Sequence, residues 1–224
     1  MAYQDEITHM PHDELEAIQL ERLKETAKRC YDNVEFFKQK FDEAGVKPED
    51  IKSLDDITKL PFTTKQDMRD NYPYGLFAVP LSDCIEIHMS SGTTGVATVS
   101  GYTQNDIDAW SDCFARGIGY AGGDENDVLH VCYGYGLFTG GLGAHYGGLK
   151  AQCTTIPMSA GNTPRQINVL RNLGSSIIAC TPSYAMHIAD TAIEMGLDPK
   201  KDFNIKEVKR VMLINVNNPI VQKL

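Results

Sequence analysis

From residue 128 onward short apolar runs alternate with stretches of helical spacing, and that alternation leaves the chain few architectures. Residues 128–132, 152–156, 176–180 and 208–214 each read as a strand, and residues 139–149, 164–173 and 183–195 as the helices between them. Strands that are apolar throughout and joined by helices are parallel and covered on both faces. The expected fold class is therefore α/β: N-terminal helices, then a largely parallel sheet with helices on both faces. Right-handed crossovers bring the loop after each strand to one edge of the sheet, where ligands of open α/β sheets bind. That edge should collect Tyr133 to Phe138, Pro157 to Asn162 and Thr181 to Tyr184. The first loop mixes glycines with aromatic rings, a combination that suits an apolar ligand pocket and equally a loosened turn with core aromatics.

Ahead of this region, residues 13–44 carry Leu15, Ile18, Leu23, Ala27, Tyr31, Val34, Phe37 and Phe41 at helical spacing, and Gly45 is a natural stop. One long or two shorter amphipathic helices are expected, with packing as their role. A polar connector with a short helix follows at 47–58. Leu60 to Arg69 reads as a loop entering a helix capped by Thr63 or Thr64. The aromatic, proline-bounded stretch from Asn71 to Pro80 reads as an outer wrap on a core.

Ile85-Glu86-Ile87-His88-Met89 alternates as a short strand, and residues 96–102 suggest a second one. Between them lies Ser90-Ser91-Gly92-Thr93-Thr94-Gly95. Its two glycines free the backbone, and its four hydroxyls add donors. Such a loop can aim N–H and O–H groups at one anion, as a phosphate cradle does, although the same residues make ordinary surface turns. A Walker loop requires Gly-Lys-Ser/Thr and a following helix; neither occurs here, so a P-loop NTPase is disfavoured. Thr103 should cap a helix from Gln104 to about Arg116, with Ile107, Trp110 and Phe114 inward. Gly117, Gly119 and Gly122 match the spacing of a dinucleotide fingerprint in the wrong context, after a helix and before an acidic loop. His88 and His130, inside strands, read as satisfied core histidines, while His145 is placed where it could face a ligand.

The 224 residues are 42% hydrophobic, enough for a sizeable core, and carry a formal net charge of -9, which argues against nucleic acid as a partner. No apolar run is long enough to cross a bilayer, and the acidic N-terminal 16 residues lack a signal core. Six scattered cysteines without a C-x-x-C pair suggest a reducing cytoplasm, no disulfide framework and no metal site.

The hydroxyl loop resembles the phosphate-binding signature of adenylate-forming enzymes, the acyl-CoA synthetase superfamily. Leu60 to Pro80, Tyr133 to Gly147, Ile156 to Gln166 and Thr181 to Ala185, four blocks in the right order, look like the phenylacetate-CoA ligase family. The resemblance runs from about Phe36 to Ile214. It implies part of the large N-terminal domain of an adenylate-forming enzyme, divided as a helical segment (1–59), a partial α/β domain (60–214) and an atypical tail (215–224). The implied activity is that of an AMP-forming acid-thiol ligase: an aryl acid attacks the α-phosphate of Mg-ATP, and coenzyme A then displaces AMP. Ser90, Ser91, Gly92, Thr93, Thr94 and Gly95 would hold the β- and γ-phosphates. Tyr135, Gly136, Phe138 and Gly141 would line the aryl-acid pocket, with Thr181, Pro182, Ser183 and Tyr184 at its inner edge. The resemblance names no catalytic residue here. ATP, Mg²⁺ and coenzyme A are the implied co-substrates, and an aryl acid the small-molecule partner, with no nucleic acid and no membrane.

Two departures bear on this. Val96 and Ala97 stand where the family usually has lysine and proline, which removes a cation near the polyphosphate. After Ile214 the adenine-contacting block, the hinge and the C-terminal lid with its catalytic lysine do not follow. The expectation is a truncated or frameshifted N-terminal portion that does not complete turnover alone and self-associates through an unfinished sheet edge. The alternative is a non-catalytic nucleotide or aryl-acid binding remnant, or a structural fragment.

Overall fold

The computed structural model describes residues 5–90 and 95–205. The chain opens with α1 (Asp5–Thr8), α2 (His12–Asn33) and α3 (Glu35–Glu43). The expected helical run is thus broken into two main helices, at Val34, which takes an extended conformation (φ -125°, ψ 106°) while its side chain is buried. Gly45, at φ +66°, ends α3 in the left-handed conformation that glycine alone adopts without strain. Ala27, Phe41 and Ile51 form the core of this region, with Leu20, Leu23, Tyr31 and Leu60 packed around them. The expected connector consists of two short 3₁₀ turns, Pro48–Asp50 and Leu54–Lys59, pinned by the buried Ile51 between them.

Thr64 caps α4 (Lys65–Asp70) in a reciprocal capping box: its Oγ1 accepts from the Asp67 N–H at 3.2 Å, and the Asp67 carboxylate accepts from the Thr64 N–H at 2.7 Å. The same carboxylate takes Lys40 Nζ at 2.8 Å, which ties α3 to α4. β1 (Glu86–Met89) and β2 (Val99–Tyr102) then pair antiparallel, Glu86 opposite Tyr102 and Met89 opposite Val99, as the expected hairpin.

Next come α5 (Gln104–Tyr120), β3 (Val128–Val131), α6 (Gly140–Lys150), β4 (Thr154–Ile156), α7 (Thr163–Asn172), β5 (Ile177–Ala179) and α8 (Pro182–Glu194). The three strands form one parallel sheet in the order β4-β3-β5. The period of two on β3 sorts its side chains cleanly. Leu129 and Val131 join Ile118, Ala144 and Cys153 in one core cluster, beneath α5 and α6. His130 and Cys132 face the other way, and Cys132 joins Ile167, Leu170, Ile188 and Ala192 beneath α7 and α8. Helices therefore cover both faces, as expected. The strand anticipated at 208–214 and the tail at 215–224 lie outside the described residues.

Packing overrides local preference in two helices, of which only the first departs from its expected bounds. α5 continues past Arg116 through Gly117 and Gly119 to Tyr120, because Ile118 on its inner face is a core residue. The near-fingerprint glycines thus lie largely inside a helix. α6 carries five glycines, each of which costs a helix about 1 kcal/mol relative to alanine. Close packing makes four of them, all but Gly140, necessary. A Cβ added at Gly147 would stand 2.2 Å from Phe114 Cβ, one at Gly143 2.5 Å from Trp110, and one at Gly148 2.4 Å from Thr155 Oγ1.

Helix propensity and packing therefore make opposite forecasts at two glycines. Gly117→Ala, where an added Cβ meets nothing within 4 Å, is expected to stabilise the chain by up to about 1 kcal/mol in urea unfolding. Gly147→Ala is expected to destabilise it by about 1–3 kcal/mol, overpacking outweighing propensity. A stabilised Gly147→Ala variant would show that α5 and α6 are not in fixed contact.

The α3–α4 clamp also sets an acid limit. The Lys40 ammonium, followed by hydrogen bonds from Thr64, lowers the Asp67 carboxyl from 3.8 to about 2. A depressed folded-state value contributes stability above pH 4 that fades as pH falls toward 2. Asp67→Asn is expected to flatten the acid limb of a pH-dependent unfolding curve over that window. A limb identical to that of the parent chain would show that the clamp contributes nothing.

Candidate functional site

The hydroxyl loop is held by its base. Ser90 N–H donates to Thr98 C=O at 3.0 Å, and Thr98 N–H donates to Ser90 Oγ at 3.0 Å. Gly95, at φ +126°, lies at the loop's far end. Ser91, Gly92, Thr93 and Thr94 lie outside the described residues. One cation stands at this loop although position 96 is valine. The Arg69 guanidinium on α4 comes within 3.7 Å of where a Cβ on Gly95 would be. Sequence reading missed Arg69, because its neighbour is 26 positions away and only the fold brings α4 to the hairpin.

The strand-following loops do converge. They surround a cavity of about 430 Å³ on the α7–α8 side of the sheet edge. Cys132, Tyr133 and Gly134 come from the end of β3, Ala160 and Gly161 from the loop after β4, and Cys180, Thr181, Ser183, Tyr184 and His187 from β5 and α8. Thr181 is also the cap of α8, its Oγ1 accepting from the Tyr184 N–H at 3.3 Å, and Pro182 takes the first helical position, where a missing N–H costs nothing. The Tyr184 hydroxyl lies 3.2 Å from Thr163 Oγ1 and so links α8 to α7 at the cavity wall.

Backbone strain is concentrated in the same wall. Ser159, Gly161 and Asn162 have φ of +69°, +91° and +47°. Gln166, fully buried on α7, holds this turn: its Nε2 donates to Ser159 C=O at 2.6 Å and to Gly161 C=O at 3.2 Å. Its Oε1 accepts from His130 Nε2 at 2.6 Å. That bond puts the imidazole proton on Nε2 and leaves Nδ1 to accept from Ser175 Oγ at 3.5 Å, so His130 is a satisfied neutral core histidine, as expected. Burial lowers its basicity further. Gln166 carried no signal in the sequence beyond its place in a matched block.

Other anticipated pocket residues fall elsewhere. Tyr135 turns toward α6, its hydroxyl 3.4 Å from His145 Nδ1 and the two rings edge-to-face at 5.8 Å. Phe138 is 71% exposed, and Gly136 is also on the surface. None of the three lines the cavity. Gly141 is buried for a different reason than pocket space. A Cβ there would stand 2.5 Å from Gly134 O and 3.2 Å from Tyr133 O, so Gly141 lets α6 close onto the backbone of the aromatic loop. A bulky residue at 141 would therefore disturb the fold itself.

His88 is the second satisfied core histidine, 3% exposed. Its Nδ1 lies 3.0 Å from Leu137 O and its Nε2 2.5 Å from Glu86 Oε1. The other Glu86 oxygen accepts from Tyr146 at 2.7 Å, and burial together with that bond pushes the phenol up to about 12. Two further cavities are present, of about 560 Å³ between α2 and the start of α5 and about 550 Å³ between α5 and β5, and Tyr133 and Cys180 line the second of them as well.

Comparison with known proteins bears on the fold. The chain superposes on 2-hydroxyisobutyryl-CoA ligase, in a structure holding 2-HIB-AMP and CoA, with a TM-score of 0.82 and 30% identity over 88% of this chain and 43% of that one. The fold is therefore that of the N-terminal domain of adenylate-forming CoA ligases. In sequence the chain is 53% identical over 187 residues to phenylacetate-coenzyme A ligase of Pseudomonas putida, spanning 84% of this chain and 43% of the relative. The Escherichia coli enzyme of that name is 53% identical over 178 residues, 80% of this chain and 41% of the relative. The Thermus thermophilus one is 44% identical over 201 residues, 90% and 45%. The chain aligns with the N-terminal portion of the phenylacetate-CoA ligase family. It spans less than half the length of these curated relatives. No family model matches it.

Gly141→Ala is expected to lower the unfolding free energy by about 1–3 kcal/mol through displacement of the Tyr133–Gly134 backbone, measured by urea denaturation. An unchanged midpoint would show that α6 can slide without cost and would restore Gly141 as a pocket residue.

Proposed function

We propose that these 224 residues carry the phosphate loop and aryl-acid cavity of an AMP-forming, phenylacetate-type CoA ligase, and that alone they bind without completing turnover. The identity of 53% over 187 residues, in a chain whose strand-following loops meet around one cavity, is the observation that supports the reading. Mg-ATP would enter from the hairpin side, where Ser90 to Gly95 offer hydroxyls and amides to the β- and γ-phosphates. Arg69 would supply there the positive charge that Val96 cannot. The aryl ring would lie between Tyr133 and Tyr184, with Thr181 and Ser183 as polar groups that orient the carboxylate. Tyr135, Gly136, Phe138 and Pro182 belong to the proposal as residues of the same edge, and Gln166 as the support of its strained wall.

The chemistry would then rest on positioning and charge. Holding the carboxylate in line with the α-phosphate converts a bimolecular attack into an intramolecular one, and donors aimed at the phosphates stabilise the charge that develops. Coenzyme A thiol would displace AMP in the second step. The matched relatives extend well beyond the length shared with this chain, so interactions specific to the transition state would be incomplete in it. The reading includes a reducing, cytoplasmic setting, which six free thiols fit. No helix among the described residues is long and apolar enough to cross a membrane. It also includes self-association through the sheet edge, since among the described strands β5 pairs only with β3.

Two assays on the 224-residue chain decide the matter. Calorimetric titration is expected to show saturable phenylacetate binding and weaker ATP binding, while phenylacetyl-CoA formation stays at the level of the protein-free blank. Absence of phenylacetate binding would overturn the cavity assignment. Thioester formation by protein free of longer contaminants would overturn the claim of incomplete turnover.

A further inference from the structure

Two thiols share the cavity. The β3–β5 register pairs Val131 with Ala179, and the ladder continues one residue further, Cys132 N–H donating to Ala179 C=O at 2.9 Å. Cys132 is therefore the register neighbour of Cys180. Both side chains leave the α7–α8 face of the sheet, and both line the 430 Å³ cavity. Neither is in a disulfide.

The spacing selects what can join them. Neighbouring strands lie about 4.8 Å apart, and in-register side chains on one face keep roughly that separation at Cβ. A disulfide prefers Cβ atoms about 3.8 Å apart, so direct oxidation would have to pull the strands together. A third atom inserted between the two sulfurs fits without that distortion. Burial, and then the charge of Cys180, push the Cys132 thiol up to about 12; burial also raises Cys180, against a backbone N–H from Ala185. Both thiols are thus protonated at neutral pH and are poor nucleophiles on their own. A reagent that removes each proton as part of the exchange is favoured over one that needs a free thiolate.

We propose that Cys132 and Cys180 form a dithiol site for a trivalent aryl arsenical, with the arsenic bridging the two sulfurs and the aryl ring in the cavity beside Tyr133 and Tyr184. Trivalent arsenic is soft and pairs with sulfur ligands. The step balances without an oxidant: PhAs(OH)₂ and two thiols give PhAs(S-protein)₂ and two waters. Each As–OH leaves with one thiol proton, two As–O bonds break and two As–S bonds form. Placing the ring in the cavity rests on the function proposed above; bridging of the two sulfurs does not.

The test is intact-mass analysis of the 224-residue chain treated with phenylarsine oxide in excess 2-mercaptoethanol, which strips arsenic from single thiols. The parent chain and Cys113→Ser, which removes the exposed thiol, are expected to retain a single phenylarsenical that a small dithiol then removes. Cys180→Ser and Cys132→Ser are each expected to lose it. Cys180→Ala, at a half-buried position, serves as the folded control if Cys132→Ser fails to fold. Retention by the Cys180 variants, or no retention by the parent chain, would overturn the proposal. Excess phenylacetate added first is expected to slow adduct formation at least severalfold. An adduct that forms at the same rate with phenylacetate present would leave the dithiol site standing and remove the aryl-acid assignment of the cavity.

Discussion

One carbonyl oxygen joins the two halves of the candidate site. Leu137 O, in the loop after β3, accepts from Met89 N–H at 2.9 Å and lies 3.0 Å from His88 Nδ1. Met89 and His88 end the strand that enters the hydroxyl loop. The position of Ser90, where that loop begins, relative to the aromatic loop is therefore set at this point. His88 is fixed in turn, its ring meeting Tyr102 and Trp110 edge-to-face and its other nitrogen meeting Glu86. Both ring nitrogens thus lie within hydrogen-bond distance of an oxygen. A buried pair of this kind is costly to break, because removal of one member strands the other away from water. Tyr146 brings α6 into the same network through Glu86, so hairpin, aromatic loop and helix are tied together.

The second constraint is the approach of α6. Its glycines bring the helix onto Phe114, Thr155 and the Gly134 carbonyl at distances no side chain would allow. Helix propensity opposes this segment and packing holds it. The closeness fixes where the backbone of Tyr133 and Gly134 runs, and that backbone is one wall of the cavity. On the other side Gln166 holds three residues of positive φ in a turn that the β4–α7 connection would otherwise leave free. The cavity is thus framed by two buried devices, neither of which touches its interior as a binding group.

Strand order, parallel pairing and the meeting of loops at one edge were legible in the sequence, because apolar runs broken by helical stretches admit few other arrangements. The hairpin was legible from its alternation, and both core histidines from their place inside strands. Helix ends were legible where a cap announced them, as at Thr64 and Thr103, and not where burial decided, as in the extension of α5 to Tyr120. The direction of individual side chains in the aromatic loop was not legible. Glycine frees that backbone, so which ring turns inward depends on contacts with α6 and on Leu137, both distant in sequence. Tyr133, Gly134 and His187 line the cavity, where the resemblance implied Tyr135 and Phe138. Arg69 and Gln166 were invisible for the same reason: each acts across the fold on backbone that local pattern does not reach.

The central claim is that the loops after β3, β4 and β5 form the binding edge of this chain. An amide-resolved NMR titration of the isotopically labelled 224 residues with phenylacetate tests it most directly. Saturable shifts are expected at Gly134, Ala160, Gly161, Thr181 and Ser183, with smaller ones at Leu137 and Met89 through their shared carbonyl. Shifts confined to the cavity between α2 and α5, around Arg29 and Asn105, with the sheet edge unmoved, would contradict it.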